Sequence, residues 1–349
     1  MNVTKLSDRE KSILRYVIHQ YILTATPVGS RNISKKYDLG ISPATVRNIM
    51  ADLEEAGLLD HPHTSAGRVP TDKGYRYYVD SLMPKPKLMP EEKKLIKKKL
   101  DSQSDSPDEI LKQASSVLSL ITNQLACVTY PRFKDAILEK IQLVKISTSR
   151  LLIVISVKSG LIRTITMEVN TKLSSEKLEA VQRLLNERLS GLKFVDIKRS
   201  MQERLRDTVK SELEPIIRLF LDSSDKIFSD MTIEDKSYIS GARNVLSQPE
   251  FKDHEKFESV IELIENKDVI IHFIDERFGD QDMFAISIGK EADNEKFQEY
   301  SLVTKKYKVG EISGALGIIG PKRMEYSKTV AAIEYIAEML SKEMKKLKS

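Results

Sequence analysis

The sequence is poor in the features that would mark a secreted, membrane-bound or catalytic protein. It holds one cysteine in 349 residues. Cys127 alone rules out an internal disulfide and fits a reducing cytoplasm, the expected localisation. No run of eighteen or more apolar residues occurs, so no segment is expected to span a membrane. The opening residues, Met1 to Ser7, are polar and lack the apolar core of a secretion signal. Enzyme signatures are missing too. His254 and His272 stand apart, with no Gly-x-Ser-x-Gly elbow and no His-Glu-x-x-His pattern. Gly310, Gly314, Gly317 and Gly320 lack the Gly-Lys-Ser/Thr ending of a phosphate loop and read as a kinked strand. His61 and His63 have no further ligands nearby, so no metal site is expected, and no cofactor. Cys127 has no neighbouring run of bases and no resolving partner, which leaves buried packing as its expected role.

What is present is a soluble composition, 40% hydrophobic and 31% charged, on a chain long enough for two or three domains. The net charge of +5 is compatible with a nucleic-acid partner without arguing for one.

The first segment carries the clearest local signals. Ser7 and Glu10 form a capping box ahead of a stripe of Ile13, Leu14, Val17, Ile18, Tyr21 and Ile22 at helical spacing. Ser30 to Tyr37 reads as a short second helix, ended by Gly40. Ser42 caps a third helix with Pro43 in its first turn, where a missing N–H does no harm. Val46, Ile49, Met50 and Leu53 face inward, and Gly57 stops it. Leu58-Leu59 and Val69 then flank a hairpin tip, and Thr71 caps a helix bearing Tyr75, Tyr78, Val79 and Leu82. Three helices, a hairpin and a closing helix describe a winged helix.

A major groove accepts one helix, and side chains near its N-terminus meet base edges. With the aliphatic side of the third helix turned inward, Ser42, Ala44, Thr45, Arg47 and Asn48 point outward. Arg47 suits guanine, Asn48 suits adenine, and Ala44 or Thr45 can touch a thymine methyl. Ser30 and Arg31 are candidates for phosphates, and Thr64, Ser65, Gly67 and Arg68 at the hairpin tip for the adjacent minor groove or backbone, with Lys73 and Arg76 extending the charged rim. The competing readings are a small helical domain with ordinary surface charge and a winged helix that binds protein. Architecture and residue types together favour duplex DNA.

Past Met83, Pro84, Pro86 and Pro90 bracket a lysine-rich linker helix, and Ser106-Pro107 opens a long helix. Strands are expected over 141–146, 151–157 and 161–169, then again over 269–274, 283–288, 300–304 and 311–319. Residues 238–246 look extended, and the intervening sequence is mainly helical. One sheet interrupted by an inserted subdomain explains this with the fewest assumptions. The final helix, with Tyr326, Val330, Ile333, Ala337, Leu340 and Met344 four and three apart, is expected to pack on its own sheet, a coiled-coil contact being the alternative.

Three stretches resemble the HrcA family of bacterial heat-inducible repressors: Ser42-Pro43-Ala44-Thr45-Val46-Arg47-Asn48, the run from Leu53 to Leu59, and the run from His63 to Arg76. The likeness continues in Gln248-Pro249-Glu250-Phe251, Ser301-Leu302-Val303 and the run Gly317 to Met324 with Tyr326, so it covers essentially the whole chain. The resemblance implies repression of GroE- and DnaK-type chaperone operons through the CIRCE inverted repeat, bound as a homodimer and kept active by a GroEL-type chaperonin. It also implies an α+β multidomain fold: a winged helix-turn-helix over 1–83, a linker over 84–105, a GAF-like α/β domain over 106–194 and 268–349, and an inserted, mainly helical dimerisation subdomain over 195–267. The alternative is a ligand-sensing regulator with a small-molecule site in the GAF-like domain, although no dense polar and aromatic cluster marks a pocket and fold analogy is a weak warrant.

Overall fold

A computed structural model gives the architecture. It describes residues 6–346 apart from 38–39, 63–66, 102–105, 170–173, 209–212, 230–236, 253 and 277–283.

The chain opens with α1 (Asp8–Thr24), whose capping box is formed: Ser7 Oγ accepts from the Glu10 backbone, and Glu10 accepts from the Ser7 backbone at 2.6 Å. Ile13, Leu14, Val17, Ile18 and Ile22 form its buried side. Ile33 of α2 (Ser30–Lys36) and Val46, Met50 and Leu53 of α3 (Pro43–Glu55) complete the core. Each such side chain contributes about 1.5–3 kcal/mol relative to exposure. Strands β1 (Leu59–Asp60) and β2 (Val69–Pro70) pair antiparallel, and Val28 makes an isolated antiparallel bridge to Arg68. Thr71 caps α4 (Asp72–Tyr77) by accepting from Gly74 N at 3.0 Å, and the helix widens into a π turn over Tyr78–Leu82.

Gly74 shows why the hairpin sits where it does. A Cβ at this position would overlap the Leu58 carbonyl, a backbone atom that no rotamer change can move aside. Helix propensity alone favours alanine over glycine by about 1 kcal/mol, whereas overpacking costs about 1–3 kcal/mol or more against a fixed neighbour. Gly74→Ala is therefore expected to destabilise the winged helix by about 1–2 kcal/mol net. Urea unfolding of the full chain, followed by circular dichroism, measures this; an unchanged midpoint would mean that the hairpin can shift away freely.

Residues 83–89 run without helix or strand to α5 (Pro90–Leu100), which has acids in its first turn and lysines in its last, as the helix dipole prefers. Ile96 and Leu100 are buried, so α5 is packed against α6 (Pro107–Thr122) and the final helix rather than being a free spacer.

After α6 comes β3 (Leu125–Thr129), and here the sequence expectation needs correcting. The next three strands, β4 (Leu138–Lys145), β5 (Arg150–Val157) and β6 (Ile162–Glu168), do not join the later strands but form a separate three-stranded antiparallel sheet. Helices α7 (Ser175–Leu189), α8 (Phe194–Arg204), α9 (Glu214–Asp222) and α10 (Ser224–Ile227) follow it. These strands and helices lie in the chain between β3 and the strand over Ser237–Ser240, which pair with each other in the other sheet. Periodicity reports that a segment is a strand but not which strand it pairs with. The edge of β4 is closed by α7: Asn186 Oδ1 accepts from Ile141 N and its Nδ2 donates to Ile141 O, both at 2.8 Å, while Gln182 Oε1 accepts from Leu143 N at 2.8 Å. Side-chain amides here replace a missing neighbour strand.

The chain returns with β7 (Ser237–Ser240), α11 (Ala242–Leu246), α12 (His254–Glu265) and α13 (Lys267–Glu276). Residues 238–246 were expected to be extended throughout, yet only the first part is a strand. The expected strand at 269–274 is helix α13. Its mainly apolar run, interrupted only by His272, fits either structure by composition, and the buried Ile270, Ile271 and Ile274 lie on one helical face. Strands β8 (Ala285–Ile288), β9 (Tyr300–Val309) and β10 (Ile312–Pro321) complete a five-stranded antiparallel sheet ordered β7-β3-β10-β9-β8, followed by α14 (Tyr326–Lys346).

Alternation along this sheet divides the core in two. Ala126, Val128, Leu316 and Ile318 point to the face covered by α6 and α14. Leu125, Cys127, Ala315 and Ile319 point to the other, covered by α13. Both faces are buried, as the apolar β3 and β10 require. Cys127 lies in the second layer, and α14 packs on its own sheet as expected.

Candidate nucleic-acid interface

The N-terminal half of α3 is held by its cap and presented by its core. Ser42 Oγ accepts from Thr45 N at 3.1 Å and lies 3.0 Å from Thr45 Oγ1, which fixes the first turn. Val46, Met50 and Leu53 are buried and Ile49 is partly buried, so the opposite edge faces solvent. Ser42, Ala44, Thr45, Arg47 and Asn48 are all exposed on it. Among the described residues, the side chains of Arg47 and Asn48 take part in no hydrogen bond or ion pair within the fold. Their donors and acceptors are therefore unspent. Arg31 of the preceding helix is exposed as well, with Ser30 partly buried beside it.

The rest of the sequence-predicted rim is placed differently. Thr64 and Ser65 lie outside the described residues. Gly67 is buried against Pro27 and Val28. Arg68 donates from Nε to Glu54 Oε2 at 2.7 Å and from its guanidinium to His61 Nδ1 at 3.1 Å, so that ring nitrogen is the acceptor. Lys73 Nζ donates to Ala56 O at 2.8 Å and Thr71 Oγ1 to Gly57 O at 2.7 Å. Both groups thus satisfy carbonyls at the C-terminal end of α3, roughly 20 Å from Ser42 at 1.5 Å per residue. Arg76 faces the other domain. Its guanidinium bonds Glu291, donates to Ile286 O at 2.7 Å and to Asp80 at 3.2 Å, and the hydrogen bond to Glu291 raises its pKa further. Arg76 is thus turned toward the larger domain, and Lys73, exposed, toward the C-terminal end of α3. No sequence signal marks Arg76 as paired, because its partner lies more than two hundred positions away.

A three-helix unit with a hairpin and a free polar edge on its third helix defines a winged-helix DNA-binding protein. Residues 5–81 match the family described as "Winged helix-turn-helix transcription repressor, HrcA DNA-binding", and residues 108–330 match "HrcA protein C terminal domain". The chain is 40% identical over 347 residues to the heat-inducible transcription repressor HrcA of Chlorobium phaeobacteroides (strain BS1), covering 96% of this chain and 97% of that one. It is 35% identical over 350 residues to the HrcA protein of Pelotomaculum thermopropionicum, covering 98% of each. The chain belongs to the HrcA family of heat-inducible transcription repressors. A crystal structure described as that of a hypothetical protein at 2.2 Å resolution shares its fold, with a TM-score of 0.61 at 24% identity over 98% of this chain and 100% of that one. Among the described residues no helix is long and apolar enough to cross a membrane.

Proposed function

We propose that this repressor binds the CIRCE inverted repeat of GroE- and DnaK-type chaperone operons as a dimer, and that a GroEL-type chaperonin keeps it active. The observation that carries the reading is the unpaired Arg47 and Asn48 on the exposed edge of a capped, core-anchored α3. In this reading α3 enters the major groove, Arg47 pairs with guanine and Asn48 with adenine, Ala44 and Thr45 meet thymine methyls, and Ser42, Ser30 and Arg31 bond phosphates. Thr64, Ser65, Gly67 and Arg68 are read as contacts to the adjacent minor groove or backbone.

The dimer reading draws on the outer face of the three-stranded sheet. Val144 and Ile162 are 47% and 58% exposed, and they share that face with the partly buried Leu152 and Val154. Apolar side chains in such a patch are what a second copy would cover. The larger domain is read as GAF-like, and the unit spanning β4 to α10 as the dimerisation subdomain.

The test is a footprint on a chaperone-operon promoter with and without chaperonin. Protection of an inverted repeat, stronger when chaperonin is added, is the expected result. Equal protection in both conditions would remove the chaperonin, and protection without sequence preference would remove the operator.

A further inference from the structure

The winged helix is fastened to the larger domain by charged and polar groups, and the fastening lies away from the reading edge. Arg323, at the turn between β10 and α14, reaches across to the end of α1. Its guanidinium bonds Glu250, donates to Gln248 Oε1 at 2.8 Å and donates to Ile22 O at 3.0 Å. Ile22 is in the last turn of α1, whose carbonyls lack helical partners, and that turn contains no basic residue of its own. The larger domain thus supplies the positive charge that the C-terminus of α1 favours. The side chain of Arg323 is only 12% exposed, so this contact is a built part of the junction.

Lys322 makes the second fastening. It pairs with Asp72 at 3.0 Å, and the other Asp72 oxygen accepts from Lys290 N at 3.1 Å. Asp72 opens α4, so the carboxylate sits where the helix dipole favours it. Gly289, at φ +54°, leaves room for that carboxylate, with which any Cβ would collide. Between the two fastenings Tyr75 lies against Tyr326 with ring centroids 6.1 Å apart, and the buried Tyr75 hydroxyl has no hydrogen-bond partner among the described residues. The junction is therefore held by its charges more than by complete polar satisfaction.

We infer that Lys322 and Arg323 are positioning residues for operator binding: by clamping Asp72 and the end of α1, they set the direction in which each α3 leaves the body of the dimer. The inference rests on the dimeric reading above. Without Lys322 and Arg323 the winged helix would be held by the Arg76 contacts to Glu291 and Ile286 O and by residues 83–89, which have neither helix nor strand, a looser tether. A tethered pair of readers engages two half-sites at a lower effective concentration than a fixed pair, and tolerates more spacings.

The test uses the full chain, Lys322→Ala and Arg323→Met, with three kinds of synthetic duplex: a single half-site, the inverted repeat, and repeats with one to three base pairs inserted. Affinity is read by fluorescence anisotropy. The expected result is half-site binding within about twofold of the unaltered chain, a loss of about 10- to 100-fold on the inverted repeat, and a flattened dependence on spacing. Unchanged affinity and spacing preference in both variants would overturn the inference. So would an equal loss on half-site and repeat, which would mean that the variants merely damage the winged helix. An unaltered chain that binds half-site and repeat alike would instead overturn the dimeric repressor reading.

Discussion

Five base pairs inserted between the two half-sites of the operator are expected to abolish tight binding. Half-site centres read by a dimer lie about one helical turn, or a multiple of it, apart. Five base pairs add about half a turn, which carries the second half-site to the opposite side of the duplex. Its major groove then faces away from the second α3. Only one winged helix can engage, and the avidity of the pair, about 100-fold or more, is lost. The docked junction sharpens this expectation, since Arg323 and Lys322 tie each winged helix to the body and leave little freedom to twist after a displaced site. A mobility-shift titration of both duplexes at one salt concentration measures the effect, because salt alone changes such affinities steeply. Retained affinity on the lengthened operator would reject the dimer geometry.

The winged helix was legible because its signals are local. Ser7 with Glu10, and Ser42 with Pro43, announce helix starts within a few residues, and the structure places both caps as read. The aliphatic side of α3 identified its exposed edge by subtraction. What failed depended on distant partners. Nothing near β4 in the sequence says that it pairs with β5 and is closed by Asn186, rather than joining β10. The run Val269 to Ile274 is rich in β-branched residues, and only burial against β10 and β3 makes it a helix. The hydrogen bonds of Lys73 and Arg76, read in the sequence only as part of the charged rim, were not legible because their acceptors, the end of α3 and Glu291, become neighbours only on folding. The run Gly317 to Met324 stood out as specific to the family, but its physical role came from the structure: Lys322 and Arg323 hold the winged helix.

Arg47→Ala is the substitution expected to cost most at the reading edge, and its two consequences should separate cleanly. Arg47 is exposed and has no partner among the described residues, so its loss should move folding stability by no more than about 0.5 kcal/mol. On the operator, a bidentate contact to guanine is worth about 1–3 kcal/mol, which is a fall of about 5- to 150-fold in affinity together with relaxed preference at one base pair. Lys73→Ala supplies the contrast. That ammonium donates to Ala56 O at the far end of α3, so its removal should cost about 0.3–1 kcal/mol of stability and leave base preference intact. Binding to the cognate duplex and to a set of single-base variants, beside urea unfolding of both mutants, reads the two effects separately. An Arg47→Ala protein with the same base preference as the unaltered chain would place the reading contact on another residue of the α3 edge.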